Sequence, residues 1–167
     1  MNNKSAIDSK ISAQGNSVAH ERLLVPEFLR QIMFAQAAAS PNREICGLLF
    51  GHKGSDYIGQ EYIGIPNIAT VPNRFVMDPE ALISALFAKK GSEHAAHLIG
   101  IVHSHPDVQG KSVPSLIDVL GHWSKDTLSI ILYRIADTWE MAAYRIDATQ
   151  LTTQRISVAI VSTGPCG

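Results

Sequence analysis

Two histidines one residue apart, closing an apolar run, are the part of this chain that speaks most directly of chemistry: Gly100-Ile101-Val102-His103-Ser104-His105-Pro106. Side chains alternate along a strand, so His103 and His105 project to one side and Ser104 to the other. Leu98 to Val102 has the composition of a buried strand. Pro106 has no N–H to give to a ladder and is expected to end it, at a sheet edge or mouth. Pro114-Ser115-Leu116-Ile117-Asp118 follows. It reads as a helix start, with Ser115 as N-cap and Asp118 three residues on. Asp118 therefore has two readings, as one half of a capping box or as a metal ligand. Joined to His103 and His105 it makes a two-His, one-Asp zinc site, one ion per chain. Three protein ligands leave the fourth tetrahedral position for water, the arrangement of catalytic zinc.

The rest of the sequence supplies elements to position that site. Leu23-Leu24-Val25 reads as a short strand, and Pro26 opens a helix to about Ala39 with Phe28, Leu29, Ile32, Met33 and Gln36 as its core stripe. Ile45 to Gly51 reads as a buried strand and Tyr57 to Ile65 as its hairpin partner. Pro66 to Asn73 is a polar connection and Phe75-Val76-Met77 a brief strand. Asp78-Pro79-Glu80 starts a second helix running to about Lys90, stopped by Gly91. After the histidine strand and the Ser115 helix, Thr127 to Ile135 and Trp139 to Ile146 form a hairpin, and Gln154 to Val161 is the last strand. Strands interleaved with three helices give one mixed α/β domain over residues 20–162. Residues 1–19, rich in Ser, Asn, Gln and Lys, read as a flexible leader, and residues 163–167 as a tail; Gly164-Pro165-Cys166-Gly167 is not a diglycine terminus.

With 167 residues the chain can bury a real core, and its net charge of −1 gives no reason to expect nucleic acid or a membrane surface as partner. No apolar stretch approaches a membrane span, and the N-terminus lacks the apolar core and cleavage site of a signal peptide. Cys46 and Cys166 make no disulfide framework, which favours a reducing cytoplasm. Cys46 points away from Ile45 and is expected to be a small buried hydrophobe.

Glu44-Ile45-Cys46-Gly47-Leu48-Leu49-Phe50-Gly51, then His103-Ser104-His105-Pro106, then Pro114-Ser115-x-x-Asp118, resembles the JAMM (JAB or MPN+) metalloprotease family, and Asn73 to Pro79 resembles its bacterial branch. The resemblance covers about Leu23 to Val161. It implies a cytidine-deaminase-like JAB/MPN fold, a curved mixed sheet flanked by helices, and zinc-dependent hydrolysis of amide bonds, often at the C-terminus of ubiquitin or a ubiquitin-like protein. Carried over by residue, it makes His103, His105 and Asp118 the zinc ligands, Glu44 the general base and proton carrier, and Ser115 the oxyanion donor. The loop over residues 106–117 is about two residues longer than the family pattern, which bears on the leaving-group side. The short connection from the Ser115 helix to Leu128 implies that the linkage-gripping insertion of some eukaryotic relatives is absent. The implied substrate is a ubiquitin-like or sulfur-carrier-like protein with a Gly-rich tail, of a kind that commonly docks by adding a strand to a sheet edge.

Two rivals stand beside this reading: a zinc hydrolase of small peptides or amides, and a non-catalytic interaction module of the same fold. A nucleotide deaminase would need His-x-Glu with Pro-Cys-x-x-Cys, which the sequence lacks. His122, four residues after Asp118, shares its helix face and either borders the site or packs. Ser104 is a structural hydroxyl or supports a ligand. Trp123 and Trp139 are expected as core or packing residues, and His94 and His97 in solvent.

Overall fold

In a computed structural model describing residues 21–90, 96–106 and 110–162, the chain begins with β1 (Arg22–Pro26) and turns at Pro26 into α1 (Glu27–Ala39). β2 (Cys46–Lys53) and β3 (Tyr57–Ile65) form the expected hairpin, followed by α2 (Pro79–Ala88). Asp78 caps α2 by accepting from the Ala81 N–H, with Pro79 at the first position, where a missing N–H costs nothing. β4 (His97–His105), α3 (Leu116–Gly121), β5 (Leu128–Ile135), β6 (Thr138–Asp147) and β7 (Thr152–Val161) complete the order. Among the described residues, no helix is long and apolar enough to cross a membrane. The leader, Gly91, His94 and the tail lie outside the described residues.

The sheet is mixed, as expected, but it closes on itself. The strands run β1-β3-β2-β4-β5-β6-β7 and return to β1, a seven-stranded barrel rather than an open curved sheet. β1 is the closing strand: it pairs parallel to β7 from Arg22↔Ser157 to Pro26↔Val161, and parallel to β3 at Leu23 and Leu24. Closure removes the exposed ladder edges an open sheet would leave. Of the edge or mouth expected where Pro106 ends the histidine strand, the edge is excluded, because β4 is paired antiparallel to β2 and parallel to β5.

One face of the sheet packs on α1, where Leu29, Met33 and Ala37 meet Leu49, Val102, Ile130 and Leu132. The buried stripe of α1 is thus an i, i+4, i+8 row, and Phe28 and Ile32, expected in the core, are 45% and 49% exposed. Ala37 completes that row, where the expected stripe ended at Gln36. The opposite face carries α2 over Cys46, Leu48, Phe50 and Ile101, and α3 over Ile131, Tyr133 and Ala142. Trp139 packs against the α1-side core, whereas Trp123 is half-exposed and so outside the core. Phe75 to Met77 forms no strand. Only an isolated Asn67↔Met77 bridge links this stretch to the incoming chain, because the Asn67 side chain takes up the N–H groups of Ala69 and Val76.

Candidate metal centre

β4 delivers both imidazoles. His103 and His105 follow Ile101 along the face that carries α2 and α3, and both are almost completely buried. Their Nε2 atoms lie 3.1 Å apart, and each is 3.5 Å from Asp118 Oδ2. Asp118 arrives from the first turn of α3, where the expected capping box is present: Ser115 Oγ accepts from the Asp118 N–H at 3.2 Å, and the Asp118 carboxylate accepts from the Ser115 N–H at 2.6 Å. The two readings of Asp118 are therefore compatible, since one carboxylate oxygen meets both the Ser115 N–H and the imidazoles. Burial pushes the Asp118 carboxyl up, but hydrogen bonds from His103, His105 and Ser115 outweigh it and hold the group well below the ordinary carboxylate range. Burial also drives His103 down, against the pull of Asp118, toward the neutral imidazole a metal requires.

The donor set fits a zinc ion. Ligand bonds of about 2.0–2.1 Å at tetrahedral angles place neighbouring donor atoms roughly 3.3–3.4 Å apart, against the 3.1, 3.5 and 3.5 Å found here. His105 Nδ1 donates to the Lys111 carbonyl at 2.9 Å, which leaves Nε2 as the lone-pair nitrogen. His103 is oriented differently. Among the described residues its buried Nδ1 has no hydrogen-bond partner, and the ring stacks on Phe75 at 4.8 Å between centroids and 25° between planes. These three residues are the one such cluster among the described residues able to hold a metal.

Ser115 lines a cavity of about 110 Å³ together with His103, Asp118, Phe75, Ile101 and Trp123. His122 borders the same cavity, and its Nε2 bonds the Thr127 carbonyl at 3.2 Å. Both of its open readings thus hold in part. Glu44 is buried and precedes β2. Cys46 pairs with His103, and Ile45 and Ser104 exchange bonds, Ser104 Oγ accepting from the Ile45 N–H at 2.9 Å and the Ser104 N–H donating to the Ile45 carbonyl at 3.1 Å. Continuing that register sets Glu44 opposite His105, on the side the imidazoles face. Ser104 is a structural hydroxyl that fixes this join. Cys46 is fully buried, its thiol donating to the Ile65 carbonyl, and burial with the nearby Glu44 charge pushes it up to about 12.

Sequence reasoning missed the Phe75 stack and Asn67. Asn67 sits in what reads as a polar connection, yet its amide bonds four backbone groups. An asparagine following a proline between two apolar runs signals a turn, not a contact with residues more than twenty positions away. The exposure of α3 was also unforeseen: Leu116, Ile117 and Leu120 are half or more exposed, beside exposed Val113 and Trp123.

A family model described as prokaryotic homologs of the JAB domain matches residues 26–147. No curated protein matches the chain in sequence. A solved protein of Desulfitobacterium hafniense, determined in solution, is similar in fold at a TM-score of 0.73 and 19% identity, covering 86% of this chain and 95% of its own.

Proposed function

The chain belongs to the family of prokaryotic homologs of the JAB domain, and from that membership and its donor geometry we propose that it is a zinc-dependent metallopeptidase or isopeptidase. The bond cleaved follows the C-terminal glycine of a ubiquitin-like or sulfur-carrier-like protein, in deconjugation or precursor processing. The observation that carries this reading is the convergence of His103 Nε2, His105 Nε2 and Asp118 Oδ2 at near-tetrahedral edge lengths.

Bound by these three residues, zinc would acidify a water from a pKa of 15.7 to about 7 and polarise the scissile carbonyl. The chain's own groups do the rest. Glu44 takes the proton of the attacking water and returns it to the leaving amine; a carboxylate on the strand register opposite His105 suits a base that must also act as acid. Ser115 keeps its hydroxyl proton for the developing oxyanion, because its oxygen is the acceptor in the capping bond. The Lys111 carbonyl, accepting from His105 Nδ1, holds that ring in the tautomer with its Nε2 lone pair free for the metal.

The cavity beside His103 is small for a ligand pocket, since sites for drug-sized molecules run to about 300–1,000 Å³. A glycine, with no side chain, suits it. Exposed Ile117 of α3 and exposed Trp123 just beyond it line that cavity, next to exposed Leu116 and Leu120. A patch of this kind favours a protein substrate over a small amide. With β4 paired on both sides, the tail is read by this cavity and patch rather than by addition to the histidine strand.

The test is intact-mass analysis of two substrates with zinc-loaded protein: a ubiquitin-like protein extended beyond its terminal glycine, and a glycyl dipeptide. Cleavage of the protein after glycine, abolished by chelator, supports the proposal. Cleavage of the dipeptide alone moves the assignment to a small-amide hydrolase, and cleavage of neither by zinc-loaded protein overturns it.

A further inference from the structure

Glu44 is not held by the ladder that β2 begins two residues later. Both of its backbone polar groups go to the chain between α2 and β3: its N–H donates to the Pro72 carbonyl at 3.0 Å, and its carbonyl accepts from Asn67 Nδ2 at 2.8 Å. The same Nδ2 donates to the Arg74 carbonyl at 2.8 Å, while Asn67 Oδ1 accepts from Ala69 N at 2.9 Å and Val76 N at 3.0 Å. Two donors meet two carbonyls and one oxygen meets two N–H groups, so the amide has every bond it can make. Between Arg74 and Val76 sits Phe75, whose ring is the partner of His103.

We infer that Asn67 is a positioning residue for this site: one side-chain amide ties the backbone of the general base to the loop whose aromatic ring orients a metal-binding histidine. The inference rests on the reading of Glu44 and His103 given above. One side chain reaches both segments. The His103 ring has no bond at Nδ1 among the described residues, where a ligating histidine ordinarily has one. Glu44 lies outside the strand that follows it. The Pro72 carbonyl and the Asn67–Met77 bridge hold the same loop, and Asn67 is the side chain that adds bonds to the Glu44 carbonyl and to the backbone on both sides of Phe75.

The experiment compares Asn67→Asp, Asn67→Ala and Phe75→Leu with wild type, and with Ile156→Val as a core variant that lowers stability away from the site. Asparagine to aspartate keeps the acceptor that holds Ala69 and Val76 and loses the donors to the Glu44 and Arg74 carbonyls. Its expected signature is a kcat lower by about 30-fold with KM within about twofold, since a misplacement of about 1 Å costs on the order of 10²-fold. Its zinc affinity and His103 ring-proton resonances stay near wild type. Asn67→Ala also frees Phe75, so its His103 resonances move toward those of Phe75→Leu and its zinc affinity falls. Turnover of Asn67→Asp within about threefold of wild type, or a loss no greater than in Ile156→Val at equal loss of melting temperature, overturns the inference. If wild type cleaves no amide, the functional reading fails, and the resonances decide separately: unmoved His103 signals in Asn67→Ala overturn the anchoring role without any substrate. If Asn67→Ala does not fold, Asn67→Ser, which also loses the bonds to Ala69 and Val76, carries the resonance arm, and Asn67→Asp carries the turnover arm.

Discussion

Replacing Asp118 by asparagine separates the two jobs of its carboxylate. The asparagine oxygen can still accept from the Ser115 N–H, and the Asp118 N–H still reaches Ser115 Oγ, so the cap of α3 survives. What disappears is the anionic donor 3.5 Å from both imidazoles. A metal at about 1,000 times its Kd stabilises by about 4 kcal/mol, which in a chain of this size is roughly 8–16 °C of melting temperature. If losing the anionic ligand weakens zinc by about 100-fold, the same zinc concentration gives about 1.4 kcal/mol, or roughly 3–6 °C. Without metal, the variant keeps the cap but loses what the depressed carboxylate lends beside the imidazoles, so the zinc-induced shift is taken within each protein, with zinc against without. The assay is thermal unfolding with and without zinc at pH 7.5. The wild-type carboxyl is depressed in the folded protein, so the stability it lends is complete above the ordinary value of 3.8 and is lost as pH falls through the depressed one. At pH 7.5 that contribution is on its plateau. A zinc-induced shift as large in Asp118→Asn as in wild type would refute the ligand assignment.

Other perturbations read other parts of the account. Ser115→Ala should lower kcat by about 10²–10³ through the lost oxyanion donor and cost about 1 kcal/mol as a lost cap; steady-state kinetics and unfolding check the two separately. Gly51→Ala should destabilise by more than about 3 kcal/mol by calorimetry, because the new Cβ would sit 1.9 Å from the Ile58 carbonyl oxygen, a backbone atom at the β2–β3 bulge. Cys46 should resist iodoacetamide in the native protein at pH 8: with the thiol pushed up to about 12, only about one molecule in 10⁴ carries the thiolate. Peptide mass analysis should find it unmodified until the chain is unfolded.

What the sequence reveals follows how local each interaction is. The histidine pair and the Ser115 helix are readable because a strand's alternation and a capping box act within a few residues, and both appear as expected. Hairpins such as β5–β6 are readable for the same reason; their turn places Ala136 at a φ of 52°. Closure is not readable. It depends on β1 finding β7 across more than 130 positions, and nothing in either strand's own pattern names its partner. The stripe of α1 misled because side-chain size suggested Phe28 and Ile32, whereas the helix packs closely enough for Ala37 to be the buried residue. Glu44 needs the β2–β4 register, and Asn67 needs the folded loop; each acts on residues remote in the chain, so spacing carries no trace of either.

The central claim is that this chain is a metal-dependent hydrolase with Glu44 as base and His103, His105 and Asp118 as ligands. Its most direct test measures zinc content and turnover together in wild type, Glu44→Gln and His105→Ala, on the glycine-extended ubiquitin-like substrate. The account predicts one zinc per chain and full turnover in wild type, one zinc and almost no turnover in Glu44→Gln, and neither in His105→Ala. A zinc-loaded Glu44→Gln protein as active as wild type, or a His105→Ala protein that keeps its zinc, would contradict it.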